Sequence, residues 1–200
     1  MRPFLTLLLS SFFITSPVYA EPLDNYQILN HLDNYGNLYL RNKPYTELPS
    51  DLVVKGNLNI EKTSIKRLPK GLEVKGSLDA SNSLLNKVYA GTSIQGYANL
   101  LGTQIKNWPK GVKVGGYLNL TDTPLQKLPN RLRVKGDLSV IRTPLTNLPE
   151  GIIIDGDLYL GGSAIKEFPD TMTVKGNIYL GGNIISKWPT NLTLGGAVAR

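Results

Sequence analysis

Apolar and polar residues alternate along this chain in a pattern that returns every twenty residues. In the unit that begins at Pro129, apolar residues stand three, five, nine, eleven, sixteen and nineteen positions after the proline, and a glycine stands at position seven. The segment from Gly156 to Leu160 shows the strict alternation expected of a strand with one buried face. Proline has no N–H and is excluded from central strands, so it marks the arc that returns the chain to the next strand.

A fixed period of this length is typical of a solenoid, in which each unit buries its apolar face only against its neighbours. We therefore predict one repeat domain, mainly β, over residues 36–200, with about eight 20-residue repeats of parallel strands that end in mid-coil. Two residue types mark the period: proline at Pro49, Pro69, Pro109, Pro129, Pro149, Pro169 and Pro189, and glycine at Gly36, Gly56, Gly76, Gly96, Gly116, Gly136, Gly156, Gly176 and Gly196.

Two further columns carry structural expectations. A glycine required in every unit indicates either a positive φ or close contact between neighbouring backbones. A small polar residue follows each strand, where its side chain can bond backbone groups of the turn. The second column comprises Thr63, Ser83, Thr103, Thr123, Thr143, Ser163 and Asn183.

Residues 1–20 have the features of a secretory signal peptide. Met1 and Arg2 form a short basic start, residues 4–14 are mostly apolar, and Val18-Tyr19-Ala20 is a small-residue cleavage site. We expect cleavage after Ala20, a secreted or periplasmic protein, and no membrane span in the mature chain. A retained N-terminal anchor is the alternative, although the apolar run is short for a bilayer.

Residues 21–35 are predicted to form an N-terminal cap with a short helix. Asp24 and Gln27 have the spacing of a capping box. Ile28, Leu29 and Leu32 then stand at spacings that share one helical face. Such a helix would cover the open end of the first coil.

Composition excludes several functions. The formal net charge is +7, spread along the repeats, which fits a solvated basic surface or a site for a polyanion. The chain has no cysteine, hence no disulfide and no thiolate zinc site. It carries no nucleophile, zinc-protease or phosphate-loop motif, and His31 is expected to be structural or solvent-facing. We expect no enzyme, no cofactor and no metal, and export argues against nucleic acid as a partner.

The unit resembles the leucine-rich repeats, particularly the short bacterial class that contains LPxxL. The residues that carry this resemblance include Ile178, Leu180, Asn183, Ile185 and Leu192, and it covers roughly residues 32–196. It implies a strand motif lining one face and an irregular arc around the proline. Most units have Thr or Ser where the family has asparagine, and a second alternating segment, Leu132-x-Val134, keeps open a closed parallel β-helix as the rival fold.

The outward positions of the predicted strands form the candidate site. They are rich in Tyr, Asn, Asp and Ser, a composition suited to recognition and also common on exposed strands. Trp108 and Trp188 occupy an offset filled elsewhere by Leu or Phe, so they are predicted to lie in the core. The candidate partner-binding residues are Tyr39, Tyr97, Asn99, Tyr117, Asn119, Tyr159 and Tyr179.

We therefore hypothesise a secreted or periplasmic bacterial protein that binds a macromolecule, a protein in the leading version, through this strand face. A self-associating envelope protein is the alternative, because no polar capping unit follows Leu194 and the last coil would expose apolar surface and a strand edge. A glycan or cell-surface binder is a third. The basic edge that could meet an acidic glycan consists of Lys55, Lys75, Lys135 and Lys175, interrupted by Gln95, Gly115 and Asp155.

Overall fold

Residues 21–200 are described by a computed structural model, and they form a mainly β solenoid of about nine stacked coils. Each coil takes about twenty residues, and all ladders between coils are parallel. The predicted fold class is thereby confirmed. The predicted signal peptide, residues 1–20, lies outside the described residues.

A nine-stranded parallel sheet, the front sheet, runs the length of the solenoid. Its strands pair in a register of twenty residues, as in Leu38 with Leu58 and Leu118 with Leu138. We number the coils 1 to 9 by these strands: Leu38–Tyr39, Leu58–Asn59, Leu78–Asp79, Ala98–Asn99, Leu118–Asn119, Leu138–Ser139, Leu158–Tyr159, Ile178–Tyr179 and Val198–Ala199.

A second strand precedes the front strand in coils 2 to 9, and these strands form two separate four-stranded sheets. The first side sheet holds Val53–Val54, Glu73–Val74, Ser93–Ile94 and Lys113–Val114, and the second holds Arg133–Val134, Ile152–Ile154, Thr171–Val174 and Asn191–Leu194. Isolated parallel bridges, such as Asn107 with Lys127, form a third line of contact between coils. The second alternating segment noted in the sequence is therefore a strand, as the β-helix alternative anticipated.

The core is one continuous apolar column inside the coils. Leu58 of a front strand, Ile60 directly after it, and Val54 of a side strand point inward and are fully or almost fully buried. Since each coil repeats these positions, each layer of Leu, Ile and Val stacks on the same layer of the next coil. Burial of apolar area at about 25 cal/mol per Å² supplies the main stabilisation of such a stack.

The glycine column lies where neighbouring backbones approach most closely. Gly76 N donates to Gly56 O at 2.9 Å, and the same bond recurs from Gly96 to Gly76. A Cβ built on Gly76 would lie 2.7 Å from the carbonyl carbon of Gly56. Of the nine column glycines only Gly36 has a positive φ, so close contact is the reason for the column.

The small polar column closes the turn after the front strands of coils 2 to 6, as predicted. Thr103 Oγ1 donates to Leu100 O at 2.8 Å, and Thr123 Oγ1 donates to Leu120 O at 2.7 Å. Both threonines are buried. Each hydroxyl is thereby paired with a backbone carbonyl inside the coil, where an unpaired polar group would be costly.

The N-terminal cap contains a 3₁₀ helix, Gln27–His31, and a small parallel pair of strands, Glu21–Pro22 and Tyr45–Glu47. The capping box is formed: Asp24 Oδ1 accepts from Gln27 N at 2.7 Å, and Gln27 Oε1 accepts from Asp24 N at 3.0 Å. The predicted apolar face is wrong, because Leu29 and Leu32 are exposed and only Ile28 is buried. A 3₁₀ helix has three residues per turn, so the spacing of Ile28, Leu29 and Leu32 does not place them on one face as it would in an α-helix.

The two tryptophans differ in burial. Trp108 is buried, as predicted, but Trp188 is 42% exposed, so its predicted core position is wrong. Trp188 packs edge-on against Phe168 of the preceding coil, with 5.2 Å between ring centroids. It lies in the return arc of coil 8, and within residues 21–200 no equivalent arc of coil 9 covers its other side.

Candidate binding face

The outer surface of the front sheet carries two columns of side chains that stack from coil to coil. The first column follows each column glycine directly, and the second lies two residues further along the strand. Neighbouring strands are about 4.8 Å apart, so equivalent side chains are in contact distance along the whole face. The candidate residues of the sequence analysis all belong to these two columns.

Tyr97 and Tyr117 form the first aromatic pair. Both stand in the first column, and their rings stack with 4.6 Å between centroids and 5° between planes. Each side chain is 38% exposed. Stacking restricts both rings before any partner arrives, so the pair offers a rigid apolar surface at low entropic cost.

Tyr159 and Tyr179 form a second pair, in the second column. Their centroids are 4.8 Å apart with 4° between planes, and both side chains are half-buried. Tyr159 Oη donates to Asp157 Oδ2 at 3.3 Å. The face therefore has two aromatic pairs, in coils 4–5 and 7–8.

Tyr39 stands apart from both pairs. It lies in the second column of coil 1, beside Asn59 of coil 2. Three strand spacings separate it from coil 4. The structure therefore does not bring this candidate together with the others.

Asn99 and Asn119 form a ladder within the sheet. Asn119 Nδ2 donates to Asn99 Oδ1 at 3.0 Å, and Asn99 Nδ2 donates to Asp79 Oδ1 at 3.3 Å. Asn119 Oδ1 also accepts from Thr121 N at 3.0 Å. These carboxamides tie neighbouring coils together, and they border the first aromatic pair as a fixed polar rim.

Three carboxylates on the face were not singled out from the sequence. Asp79 lies in the second column, and Asp137 and Asp157 lie in the first. Within residues 21–200 none of the three forms an ion pair with a Lys, Arg or His side chain. The two columns contain no lysine or arginine at all, in a chain with 22 such residues. The absence of basic residues from the two columns is visible in the sequence, and it could have indicated that the face is acidic and aromatic.

Burial, and after it the charges of neighbouring groups that include these carboxylates, raises the pKa of two tyrosines. For Tyr117 the main cause is burial, followed by Tyr97 and Asp79. For Tyr159 the main cause is again burial, followed by the charges of Asp157 and Asp137. Both phenols therefore keep their protons to a higher pH than a free tyrosine does.

The metal-ligating residue types are dispersed over the described chain. Among residues 21–200 no group of three or more His, Cys, Asp or Glu side chains is placed to hold a metal ion. His31 is half-buried and its Nε2 lies 2.9 Å from Tyr45 Oη. Burial, then Lys43, lowers the pKa of this imidazole, so it is neutral and fixed by the cap.

Comparison of the chain with protein-family models, with curated proteins and with solved structures gives no match. No helix among residues 21–200 has the length and apolar character needed to cross a bilayer.

Proposed function

We propose that the front sheet is a binding face for a partner protein, on a leucine-rich-repeat-like scaffold that acts outside the cytoplasm after cleavage behind Ala20. The observation that supports this most is the pair of stacked tyrosines, Tyr97 and Tyr117, exposed on a rigid sheet between fixed polar side chains. Aromatic anchors of this kind supply much of the binding energy in protein interfaces.

The charges of the face indicate the chemistry of the partner. Asp79, Asp137 and Asp157 have no cationic partner among residues 21–200, and no basic residue stands in either column. A partner surface with Lys or Arg side chains would pair with these carboxylates and lie over the tyrosine rings. An acidic glycan would meet repulsion here.

Aromatic substitutions test the proposal. The partner is captured with the immobilised protein and then titrated against two double variants, Y97A/Y117A and Y159A/Y179A. Each is expected to weaken binding by about tenfold or more, since interface tyrosines contribute about 1–3 kcal/mol each. The matched control is Y26A/Y35A, which removes two exposed tyrosines outside the front sheet. Equal loss in the control and the face variants would reject the front sheet as the interface.

Self-association is a second candidate function, and the C-terminal end of the described solenoid, in coils 8 and 9, favours it. Ile184 is 85% exposed there, and Trp188 and Val198 are also exposed. Two strands there, Asn191–Leu194 and Val198–Ala199, are paired on one side only, so each has an open edge. Light scattering over a concentration series tests this, with I184D expected to abolish any dimer. A monomer at all concentrations would remove the candidate.

A basic edge for acidic glycans is less well supported. Lys75 pairs with Glu73, and Lys175 pairs with Asp155, which also accepts from Arg133. The edge is therefore partly neutralised by its own neighbours.

A further inference from the structure

The two side sheets do not pair with each other, and the gap between them is a cleft. It lies between the side strands Lys113–Val114 of coil 5 and Arg133–Val134 of coil 6 and has a volume of about 910 Å³. In the front sheet the same two coils stay joined, where Leu118 pairs with Leu138. Coils 5 and 6 are thus hinged at the front and open at the side.

The opening leaves backbone groups without their usual partners. Between coils 4 and 5, Lys113 N donates to Thr92 O at 3.0 Å, and Gly115 N donates to Ile94 O at 2.9 Å. The equivalent bonds would join Arg133 N to Val112 O and Lys135 N to Val114 O. Neither is formed within the described chain, and the glycine bond from Gly136 N to Gly116 O is missing as well.

Gly115 accompanies the opening on the coil 5 side. A Cβ at this position would overlap the carbonyl oxygen of Gln95 in coil 4. The strand of coil 5 pairs with coil 4 at the ordinary distance, since Gly115 N lies 2.9 Å from Ile94 O and Lys75 N lies 2.9 Å from Val54 O. At this offset the strand of coil 5 carries no side chain. Its other edge then faces the cleft.

The cleft combines an apolar floor with a basic rim. Val112, Val114 and Leu132 belong to the inward positions of the side strands, and the two valines are only partly buried. No aspartate or glutamate lines the cleft. Five cations do: Lys110, Lys113, Arg131, Arg133 and Lys135.

Four of these five cations are free to bind a ligand. Within residues 21–200 only Arg133 has a carboxylate partner, Asp155, at 2.9 Å. Clustered cations over an apolar floor raise the local potential, which an acidic ligand relieves. The cleft therefore favours a ligand of negative charge.

We propose that this cleft binds an extended acidic peptide segment, which adds to the side sheet as a strand. A peptide supplies what the two edges lack: N–H groups for Val112 O and Val114 O, and carbonyls for Arg133 N and Lys135 N. Alternating apolar side chains would face the floor and acidic ones the rim, as in other cases of strand addition. A lipid could satisfy the charges and the apolar floor but not the backbone groups of both edges.

The test uses a short fluorescent peptide of alternating Glu and Val, titrated by anisotropy with the purified protein. Two further peptides separate the contributions: one with Lys in place of Glu, and one with the backbone N-methylated at alternate residues. Only the unmodified Glu/Val peptide is expected to bind, and binding should weaken with salt. Equal binding of the N-methylated peptide would overturn strand pairing, and equal binding of the Lys/Val peptide would overturn the charge argument.

Charge-reversal variants test whether the peptide binds at the cleft. K113E/K135E is expected to lower the affinity by about tenfold or more, because both rim charges become repulsive. The matched control, K55E/K66E, makes the same change in net charge at two exposed lysines that do not line the cleft. Circular dichroism checks that each variant is folded. The comparison of the three peptides uses the unaltered protein, so it remains a valid test even if a variant fails to fold.

Vesicles of phosphatidylglycerol form the competing arm. Binding to vesicles without binding to the Glu/Val peptide would overturn the proposal in favour of a lipid surface. The front-sheet variant Y97A/Y117A should bind the peptide normally, so this test succeeds or fails independently of the proposed binding face.

Discussion

At the residue scale, the glycine column limits how the coils stack. A Cβ at Gly76 would lie 2.7 Å from C and 2.8 Å from O of Gly56, and these backbone atoms cannot move aside without breaking the ladder. Gly91 has a φ of +90° but no atom within 4 Å of a built Cβ. The two glycines are therefore required for different reasons.

We expect Gly76→Ala to lower the free energy of unfolding by about 2–3 kcal/mol through overpacking. Gly91→Ala should cost about 1 kcal/mol, from backbone strain alone. Urea unfolding of the two variants measures the difference. A larger loss in Gly91→Ala would show that φ, and not backbone contact, dominates.

Two buried threonines differ in whether the side-chain hydroxyl is hydrogen-bonded. Thr103 Oγ1 bonds Leu100 O, whereas Thr92 Oγ1 is buried without a partner in the described chain. Replacing Thr103 by valine should destabilise the protein by about 1 kcal/mol, a modest loss because Thr103 N also donates to Leu100 O. Thr92→Val removes an unsatisfied hydroxyl and should stabilise the protein by about 1 kcal/mol.

Thermal or urea unfolding compares the two valine variants directly, since both changes have the same shape. Destabilisation by Thr92→Val would indicate that its hydroxyl has an unrecognised partner.

Ionisation of Tyr117, in the tyrosine pair of coils 4–5, should lower the stability of the folded protein at alkaline pH. Burial, Tyr97 and Asp79 raise the pKa of Tyr117 in the folded protein. Its contribution to stability is therefore complete below the unfolded pKa of about 10 and is lost as the pH rises through the folded pKa. Tyr117→Phe should flatten the fall in stability above about pH 10, as measured by urea unfolding across that range.

Tyr26→Phe, at an exposed tyrosine outside the sheet, is the control for this titration. A profile for Tyr117→Phe that matches the unaltered protein would contradict the expectation.

At the scale of elements, the break between the side sheets has a local signature. Arg133 N and Lys135 N have no ladder partner in the described chain, whereas Ile153 N and Asp155 N are bonded to Leu132 O and Val134 O at 2.9 Å each. An amide that is not bonded exchanges with solvent through small local openings.

Hydrogen exchange should therefore show fast exchange at Arg133 and Lys135 and slow exchange at Ile153 and Asp155. The front strand of the same coil, Leu138–Ser139, should be protected like its neighbours, because its ladder is continuous. Equal protection of Arg133 and Ile153 would mean that the side ladder is closed in solution.

At the scale of the whole molecule, each coil contacts mainly its neighbours, and the front sheet keeps a twenty-residue register along its whole length. A solenoid of this kind tolerates the loss of a complete unit, since the flanking coils present matching apolar layers to each other. A partial deletion shifts every following side chain out of register.

Deletion of residues 137–156 joins Gly136 to Asp157 and keeps the register, so the shortened protein should remain a folded β protein with lower stability. Deletion of residues 137–146 removes half a unit and should prevent cooperative folding. Circular dichroism with thermal unfolding distinguishes the two. A folded half-unit deletion would show that the coils do not depend on the register.

The period by itself determined most of the architecture. Proline, glycine and the alternating apolar positions recur every twenty residues, so stacked parallel coils with a continuous core are the arrangement that buries every apolar layer. The same period placed Tyr97 over Tyr117 and Thr103 at the turn, because residues twenty apart meet in neighbouring coils. The capping box at Asp24 and Gln27 was also readable, since it depends only on local spacing.

Tertiary structure decided what depends on distances between coils. A repeat specifies which residues are neighbours but not how closely two coils approach on each side, so the cleft between coils 5 and 6 was not predicted. Nor does it show which polar groups are already paired, as with Asn99 and Asn119, which bond within the sheet. Burial of Trp188 likewise requires a covering coil, because an apolar residue is buried only by the layer that packs on it.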